Sequence, residues 1–224
     1  MGTARGSDVI FSQFLKKKMD ILIAGTDTCS TTVEWAMAEL LQHPRVMKKA
    51  KEEIRIIVGQ KGMVEETDLH QLQYLKLVVM ETLRLHPPAP LLIPRECMKR
   101  CSLGGYEIAS KIRIYINAFA IGRNPESWKN PEKFFPERFM NRSINYQGHD
   151  FKLIPFGAGW RTCPRIQFGT TTVDLAVANL LYSFNWEFPI RMEKDSMDMK
   201  EAFSIIEHKE SALQASLSCT IISE

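Results

Sequence analysis

The residues most able to do chemistry cluster in one stretch, Phe151-Lys152-Leu153-Ile154-Pro155-Phe156-Gly157-Ala158-Gly159-Trp160-Arg161-Thr162-Cys163-Pro164. An apolar run ends in a glycine-rich loop that carries one arginine and one cysteine, and a long apolar segment from Ile166 to Phe184 follows at once. Glycine lets a backbone turn tightly and approach a flat ligand. A thiolate just ahead of a helix is favoured by the unpaired N–H groups and the dipole there. Cys163 is therefore placed to serve as the axial ligand of a haem iron. The same residues also read as a buried, inert cysteine after a glycine turn. Two other groups attract notice. Glu81 and Arg84 are three apart, so they share one helix face. Ala24-Gly25-Thr26-Asp27-Thr28 places an acid and a hydroxyl side by side, suited to holding water and relaying protons; a simple helix break is the alternative.

The elements that must position these groups are mainly helical. Phe11 to His43 has apolar residues at helical spacing on either side of the Ala24–Thr32 centre. That centre is rich in Gly, Ser and Thr, and predicts a local distortion. Pro44 opens a helix that stops at Gly59, with a charged face toward solvent. Thr67-Asp68 caps a short turn through Leu72. Tyr74 to His86 is a strong helix, ended by Pro87-Pro88 and Pro90. The apolar neighbours of Glu81 and Arg84 predict that the pair is partly buried and needs further partners. Leu91 to Glu96 is extended, and Leu103–Tyr106 with Ile112–Asn117 suggest a small antiparallel sheet. Ala118 to Arg123 forms one turn. An aromatic, proline-rich meander runs from Asn124 to Met140, and its Pro136-Glu137-Arg138-Phe139 offers a third charged partner. The last long helix starts at Pro164 or Arg165, and Ala202 to Glu207 reads as a strand. The ends, 1–10 and 211–224, are expected to be poorly ordered. The fold class is mainly α with a small β component, in one domain.

Bulk composition excludes several classes. The 224 residues carry a net charge of +3, with scattered Lys and Arg, so no nucleic acid is expected as a partner. The five cysteines lack paired short spacing, which argues against a disulfide scaffold. Cys97 and Cys101 lack the further ligands of a zinc module. A Cys163 hydrolase finds no suitably placed histidine. No secretion signal is seen, and no transmembrane segment is expected in this chain.

Four motifs occur in a fixed order, and together they resemble the cytochrome P450 family of haem-thiolate monooxygenases. Ala24-Gly25-Thr26-Asp27-Thr28 is similar to the oxygen-binding centre of the long distal helix. Glu81-Thr82-Leu83-Arg84 matches the Glu-x-x-Arg helix. Pro136-Glu137-Arg138-Phe139 matches the meander, and Phe156-x-x-Gly159-x-Arg161-x-Cys163 the haem-thiolate loop. The text around Leu85-His86-Pro87-Pro88, Pro94-Arg95-Glu96 and Asn117 to Arg123 looks like plant microsomal members that oxidise terpenoids, alkaloids or similar molecules. The resemblance covers nearly the whole chain but only the C-terminal half of the family fold.

The resemblance implies a cofactor, haem b (iron protoporphyrin IX), with Cys163 as metal ligand. Thr28 would hydrogen-bond dioxygen and Asp27 would help deliver protons, with Ala24 and Gly25 leaving room above the haem. Arg161 and Arg95 would pair with the propionates, and Phe156, Gly157 and Gly159 would shape the loop. Glu81, Arg84 and Arg138 would form a structural network beneath. Ala89, Pro90, Leu91, Leu92, Ile93, Phe203, Ser204 and Ile205 would line the substrate pocket. The implied reaction inserts one oxygen atom from O2 into a small lipophilic substrate, with electrons from NADPH-cytochrome P450 reductase. The implied location is the endoplasmic reticulum membrane, although no anchor is read here, so a soluble or peripheral chain is equally compatible. The family usually has Gly where Arg165 stands; its side chain either crowds the haem or swings to solvent. The alternative function is a truncated, catalytically inactive fragment that does not retain haem.

Overall fold

The computed structural model describes residues 6–189, 197–202 and 204–219, with side chains from residue 24 onward. Helix α1 spans Gly6–Gln42 and α2 Pro44–Val58. α3 spans Gln73–Leu85, α4 Ala118–Gly122 and α5 Ile166–Ser183. The C-terminal part of α1 packs against α3 and α5, and α2 closes the group. Trp35, Ala36, Met37, Ala38, Leu40 and Leu41 are buried on successive faces of α1, as a helix enclosed by neighbours requires. Val46, Met47, Ala50, Ile54 and Val58 form the one buried stripe of α2. Val173, Val177, Ala178, Leu181 and Tyr182 form that of α5.

Polar side chains fix how these helices meet. The Glu53 carboxylate of α2 accepts the Tyr74 and Leu75 N–H groups at 2.7 and 2.9 Å. It thereby caps α3, whose own preceding residue Leu72 offers no side-chain cap. Asn179 of α5 exchanges two 3.0 Å hydrogen bonds with the backbone of Val64. α2 ends at Gly59, whose φ of +58° favours glycine.

Three expectations are corrected. The centre of α1 continues as regular helix, because its hydroxyls turn back onto the helix carbonyls: Thr28 to Ala24 at 2.7 Å, Ser30 to Asp27 at 2.9 Å and Thr32 to Thr28 at 2.8 Å. The strand pairing differs as well. β1 (Arg95–Glu96) pairs with β4 (Arg113–Ile114), while β2 (Cys101–Leu103) pairs with β3 (Tyr106–Ile108). Leu103 thus ends one strand and Tyr106 begins its partner, with Gly104–Gly105 as the turn between them. Gly104 and Gly105 take φ of +56° and +84°, the two left-handed positions that a tight hairpin demands. Third, 202–207 is not one strand: β6 (Glu201–Ala202) pairs with β7 (His208–Lys209) around a bend. Within the tail, β8 (Ser216–Cys219) pairs antiparallel with β5 (Phe184–Glu187). Among the described residues, no helix is long and apolar enough to cross a membrane.

Asp174 on α5 is buried, and burial pushes its carboxyl up to about 6 against the opposing charge of Lys76. The folded chain therefore binds more protons than the unfolded chain between about pH 4 and 6, and stability falls as pH rises through that window. Asp174→Asn should be more stable than the parent at pH 7 by roughly 2 to 3 kcal/mol, the gap closing toward pH 4. Urea midpoints measured across this range check it; parallel profiles for the two chains would refute it.

Candidate haem site and its buried charge network

The site is built upward from α3. Glu81 and Arg84 are wholly buried, and Arg138 arrives from a short turn at Pro136–Phe139. Arg84 Nε and Nη2 donate to the two Glu81 oxygens at 2.8 and 2.9 Å. Arg138 Nε donates to Glu81 Oε1 at 2.9 Å, and the Phe135 N–H reaches the same oxygen at 2.8 Å. The remaining guanidinium protons go to main-chain carbonyls. Arg84 holds Gly122, Pro131 and Lys133; Arg138 holds Lys129, Asn130 and Lys133. A surface pair of this spacing is worth little. A buried one must satisfy its donors, and here it does.

The meander is tied outward too. Glu137 accepts Arg45 Nη1 and Nη2 at 2.6 and 3.2 Å and the Tyr74 hydroxyl at 2.9 Å. Partial burial opposes its charge, but these bonds outweigh it and hold the carboxyl at about 2. Trp128, buried with Phe139, Leu153 and Met80, lies 5.4 Å below the Arg84 guanidinium. Leu153 leads directly into the cysteine loop.

That loop closes on itself. The Cys163 N–H donates to Phe156 O at 2.9 Å, and Gly157 N–H to Ile154 O at 2.9 Å. Gly157 and Gly159 take φ of +74° and +70°. The Thr162 hydroxyl caps Phe156 O at 3.3 Å. Phe156 is half-buried and meets the edge of Tyr146 at 5.7 Å. Cys163 is half-buried three residues ahead of α5. Arg95 lies over the loop: its Nη2 donates to Arg161 O at 3.1 Å, and a Cβ on Gly157 would come within 4.0 Å of it. The Arg161 side chain is exposed.

α1 brings the second face. Cys29 Sγ lies 3.8 Å from Gly169 O of α5. Burial pushes the Cys29 thiol up, the Thr28 hydroxyl opposes, and the nearby Cys163 sulfur adds to the rise. The centre of α1 and the cysteine loop therefore face one another. A Cβ on Gly25 or on Gly159 would meet nothing within 4 Å. His208, which sequence reasoning passed over, lies 3.6 Å from Asp27 and 2.9 Å from the Thr31 hydroxyl. No local pattern signals it, because it returns from β7.

A family model described as Cytochrome P450 matches residues 11–213. The chain belongs to the cytochrome P450 family. It is 56% identical to Cytochrome P450 71A1 of Persea americana over 196 residues, which is 88% of this chain and 39% of that protein. It is 52% identical to Costunolide synthase of Cichorium intybus over 84% of this chain and 38% of that one. It is 51% identical to Desmethyl-deoxy-podophyllotoxin synthase of Sinopodophyllum hexandrum over 83% and 36%. A zebrafish P450 structure with abiraterone superposes with a TM-score of 0.81 at 28% identity, covering 91% of this chain and 46% of that one. The chain thus spans under two fifths of the curated relatives it matches.

The residues present fit a P450 haem. One thiol, two arginines joined through a single carbonyl, and open space beside two glycines form the donor set that a propionate-bearing macrocycle needs. Arg165 has φ of −119° and an exposed side chain, so its backbone does not call for glycine and the arginine extends to solvent. The residues expected to line a substrate pocket are less gathered. Leu91, Ile93 and Ile205 are 46%, 60% and 79% exposed. Ser204 is exposed, and Ala89 and Pro90 are half-buried. Leu92 packs instead with Ala118 and Ile154, and Phe203 lies outside the described residues. A cleft of about 700 Å³ lined by residues including Asn124, Asn145 and His149 does not touch Cys163. Cys97 and Cys101 do approach, with sulfurs 3.5 Å apart, but among the described residues no third ligand joins them.

Two substitutions test the network. Glu81→Gln leaves two buried guanidinium groups without their carboxylate and should cost about 3 to 5 kcal/mol. Gly122→Ala places a Cβ against the Arg84 carbonyl, where no flexible atom can give way, and should lower the urea midpoint in the same direction. A midpoint unchanged in both would mean the network does not carry this part of the fold.

Proposed function

We propose that this chain forms the haem-binding part of a plant P450 monooxygenase, inserting one oxygen atom from O2 into a small lipophilic substrate. Electrons come from NADPH-cytochrome P450 reductase. The observation that carries the reading is the closed, glycine-turned loop presenting Cys163 toward the polar centre of α1, over a saturated Glu81–Arg84–Arg138 base. The haem, when bound, supplies the one-electron and dioxygen chemistry.

The chain's own residues do the rest. Cys163 offers its sulfur three residues ahead of α5, on the side that meets α1. Arg95 and Arg161 would hold the acidic edge of the macrocycle. The Thr28 hydroxyl, which donates to Ala24 O at 2.7 Å, would be the group that meets dioxygen. Asp27, half-buried and 3.6 Å from His208, would relay protons from solvent toward Thr28. Relatives named as synthases of costunolide and desmethyl-deoxy-podophyllotoxin support a substrate of small, lipophilic type, such as a terpenoid or alkaloid. The endoplasmic reticulum membrane is the proposed location, by kinship with the family's microsomal members.

A second reading, a fragment without haem, is favoured by one observation. Phe168 is 62% exposed, and Leu91 and Ile93 are open to solvent, so apolar surface flanking the site is uncovered.

The reduced, CO-bound absorbance spectrum of the haem-supplemented chain separates the two, measured beside Cys163→Ser. A red-shifted thiolate-type Soret band, absent from the variant, is expected. A band that the substitution leaves unchanged, or no haem uptake at all, would select the second reading.

A further inference from the structure

A second cluster lies away from Cys163, where the β6–β7 hairpin meets the end of α3. His86 is 6% exposed, and its ring stacks on Trp35 at 3.9 Å with 2° between planes. Its Nε2 donates to the Glu39 carboxylate at 2.8 Å and its Nδ1 turns toward the hairpin; burial opposes a charge on the ring, but Glu201 and Glu39 on its two sides raise its pKa above the ordinary value. Nδ1 faces Glu201 Oε1 at 3.5 Å and Glu207 Oε1 at 4.0 Å. Both His86 Nδ1 and Glu207 Oε1 are buried without a hydrogen-bond partner among the described residues. The three ligand atoms lie within 4.8 Å of one another.

We infer that His86 Nδ1 and the carboxylates of Glu201 and Glu207 form a binding site for a divalent cation of the zinc class, with Glu39 orienting the imidazole behind it. Two donors about 2.1 Å from a tetrahedral zinc stand roughly 3.4 Å apart. The observed spacings contract to that value with small side-chain movements. One imidazole and two carboxylates suit zinc rather than the all-oxygen preference of calcium or magnesium. A histidine that ligates through one nitrogen while the other donates to a carboxylate is the arrangement that raises ligand basicity.

Several charged groups surround the site, and His43 also meets Glu39 at 3.3 Å. Glu39, Glu201 and Glu207 converge on one imidazole. Arg123 reaches only Glu201, at 3.4 Å, and also serves Glu132. The Lys209 ammonium is committed to the Asp198 carbonyl. Burial, and then the Glu201 charge, push Glu207 up to about 8. The Glu207 backbone is fixed by its N–H bond to Pro88 O at 2.9 Å. The Glu201 side chain is 30% exposed and gives the ion an entry path. In the metal-free chain a proton answers the same carboxylates; zinc takes its place and releases it.

The test uses zinc(II) alone, without haem, on the metal-free 224-residue chain carrying Cys97→Ser and Cys101→Ser. One equivalent should bind and raise the thermal midpoint. Glu207→Gln reproduces the shape of the protonated carboxyl of the metal-free chain, so it folds; its zinc affinity should fall at least tenfold and the midpoint shift should vanish. Glu39→Gln should keep the stoichiometry but weaken binding by about 10- to 100-fold. Cobalt(II) in place of zinc should show a visible d–d band that Glu207→Gln abolishes. No uptake by the parent, or equal uptake by Glu207→Gln, would overturn the site and leave a proton shared by the two carboxylates as its occupant.

Discussion

Glu81 bears its charge in complete burial, and both of its oxygens are taken by Arg84 and Arg138. Removing such ions from water costs several kcal/mol apiece, and their attraction offsets this only when every donor finds an acceptor. That demand organises the middle of the chain. The spare guanidinium protons collect the carbonyls of Gly122, Lys129, Asn130, Pro131 and Lys133. The stretch from 123 to 165 has no helix beyond a single turn, so its own backbone ladder cannot hold it. The buried charges supply the fixed points that regular structure supplies elsewhere.

From those points the order passes to the cysteine loop by packing. Trp128 lies under both guanidinium groups, at 5.4 and 5.9 Å, and shares a small cluster with Phe139 and Leu153. Two residues on, Pro155 and Phe156 begin the loop whose ends are joined by the Cys163 to Phe156 hydrogen bond. Cys163 is thus held by a closed turn above a rigid base. The aromatic and apolar residues around it, Trp160 and Phe168, remain exposed. Precision at the sulfur and openness beside it are compatible because the base, not the rim, sets the position.

Much of this was legible in the sequence, and the limits have a physical cause. α2, α3 and α5 follow from apolar periodicity with Pro44, Gly59 and Pro87 as punctuation, since those signals are local. The family motifs named the residues of the charge network, but its full burial depends on Arg138, 57 positions from Glu81. Leu103 and Tyr106 carry strand propensity, but the two glycines between them turn the chain back so that they pair with each other. Composition alone predicts a distorted centre for α1. Its hydroxyls instead find carbonyls within their own helix. Glu53, Glu137, Asn179 and His208 act across long separations, and nothing beside them in the chain announces it.

The β6–β7 hairpin joins two regions that α1 keeps apart. Asp27 and Glu39 are separated along that helix by about 18 Å, at its rise of roughly 1.5 Å per residue. His208, on β7, meets Asp27 and Thr31 at one end. Glu201 and Glu207, on and beside the same hairpin, converge on His86 and so on Glu39 at the other. Among its described residues the hairpin buries Glu207 and Lys209 and no apolar side chain. A cation among His86, Glu201 and Glu207 would fix the hairpin, and through it the distance from His208 to Asp27. The ion would then act on the proposed proton path by positioning a histidine, without approaching the haem side itself.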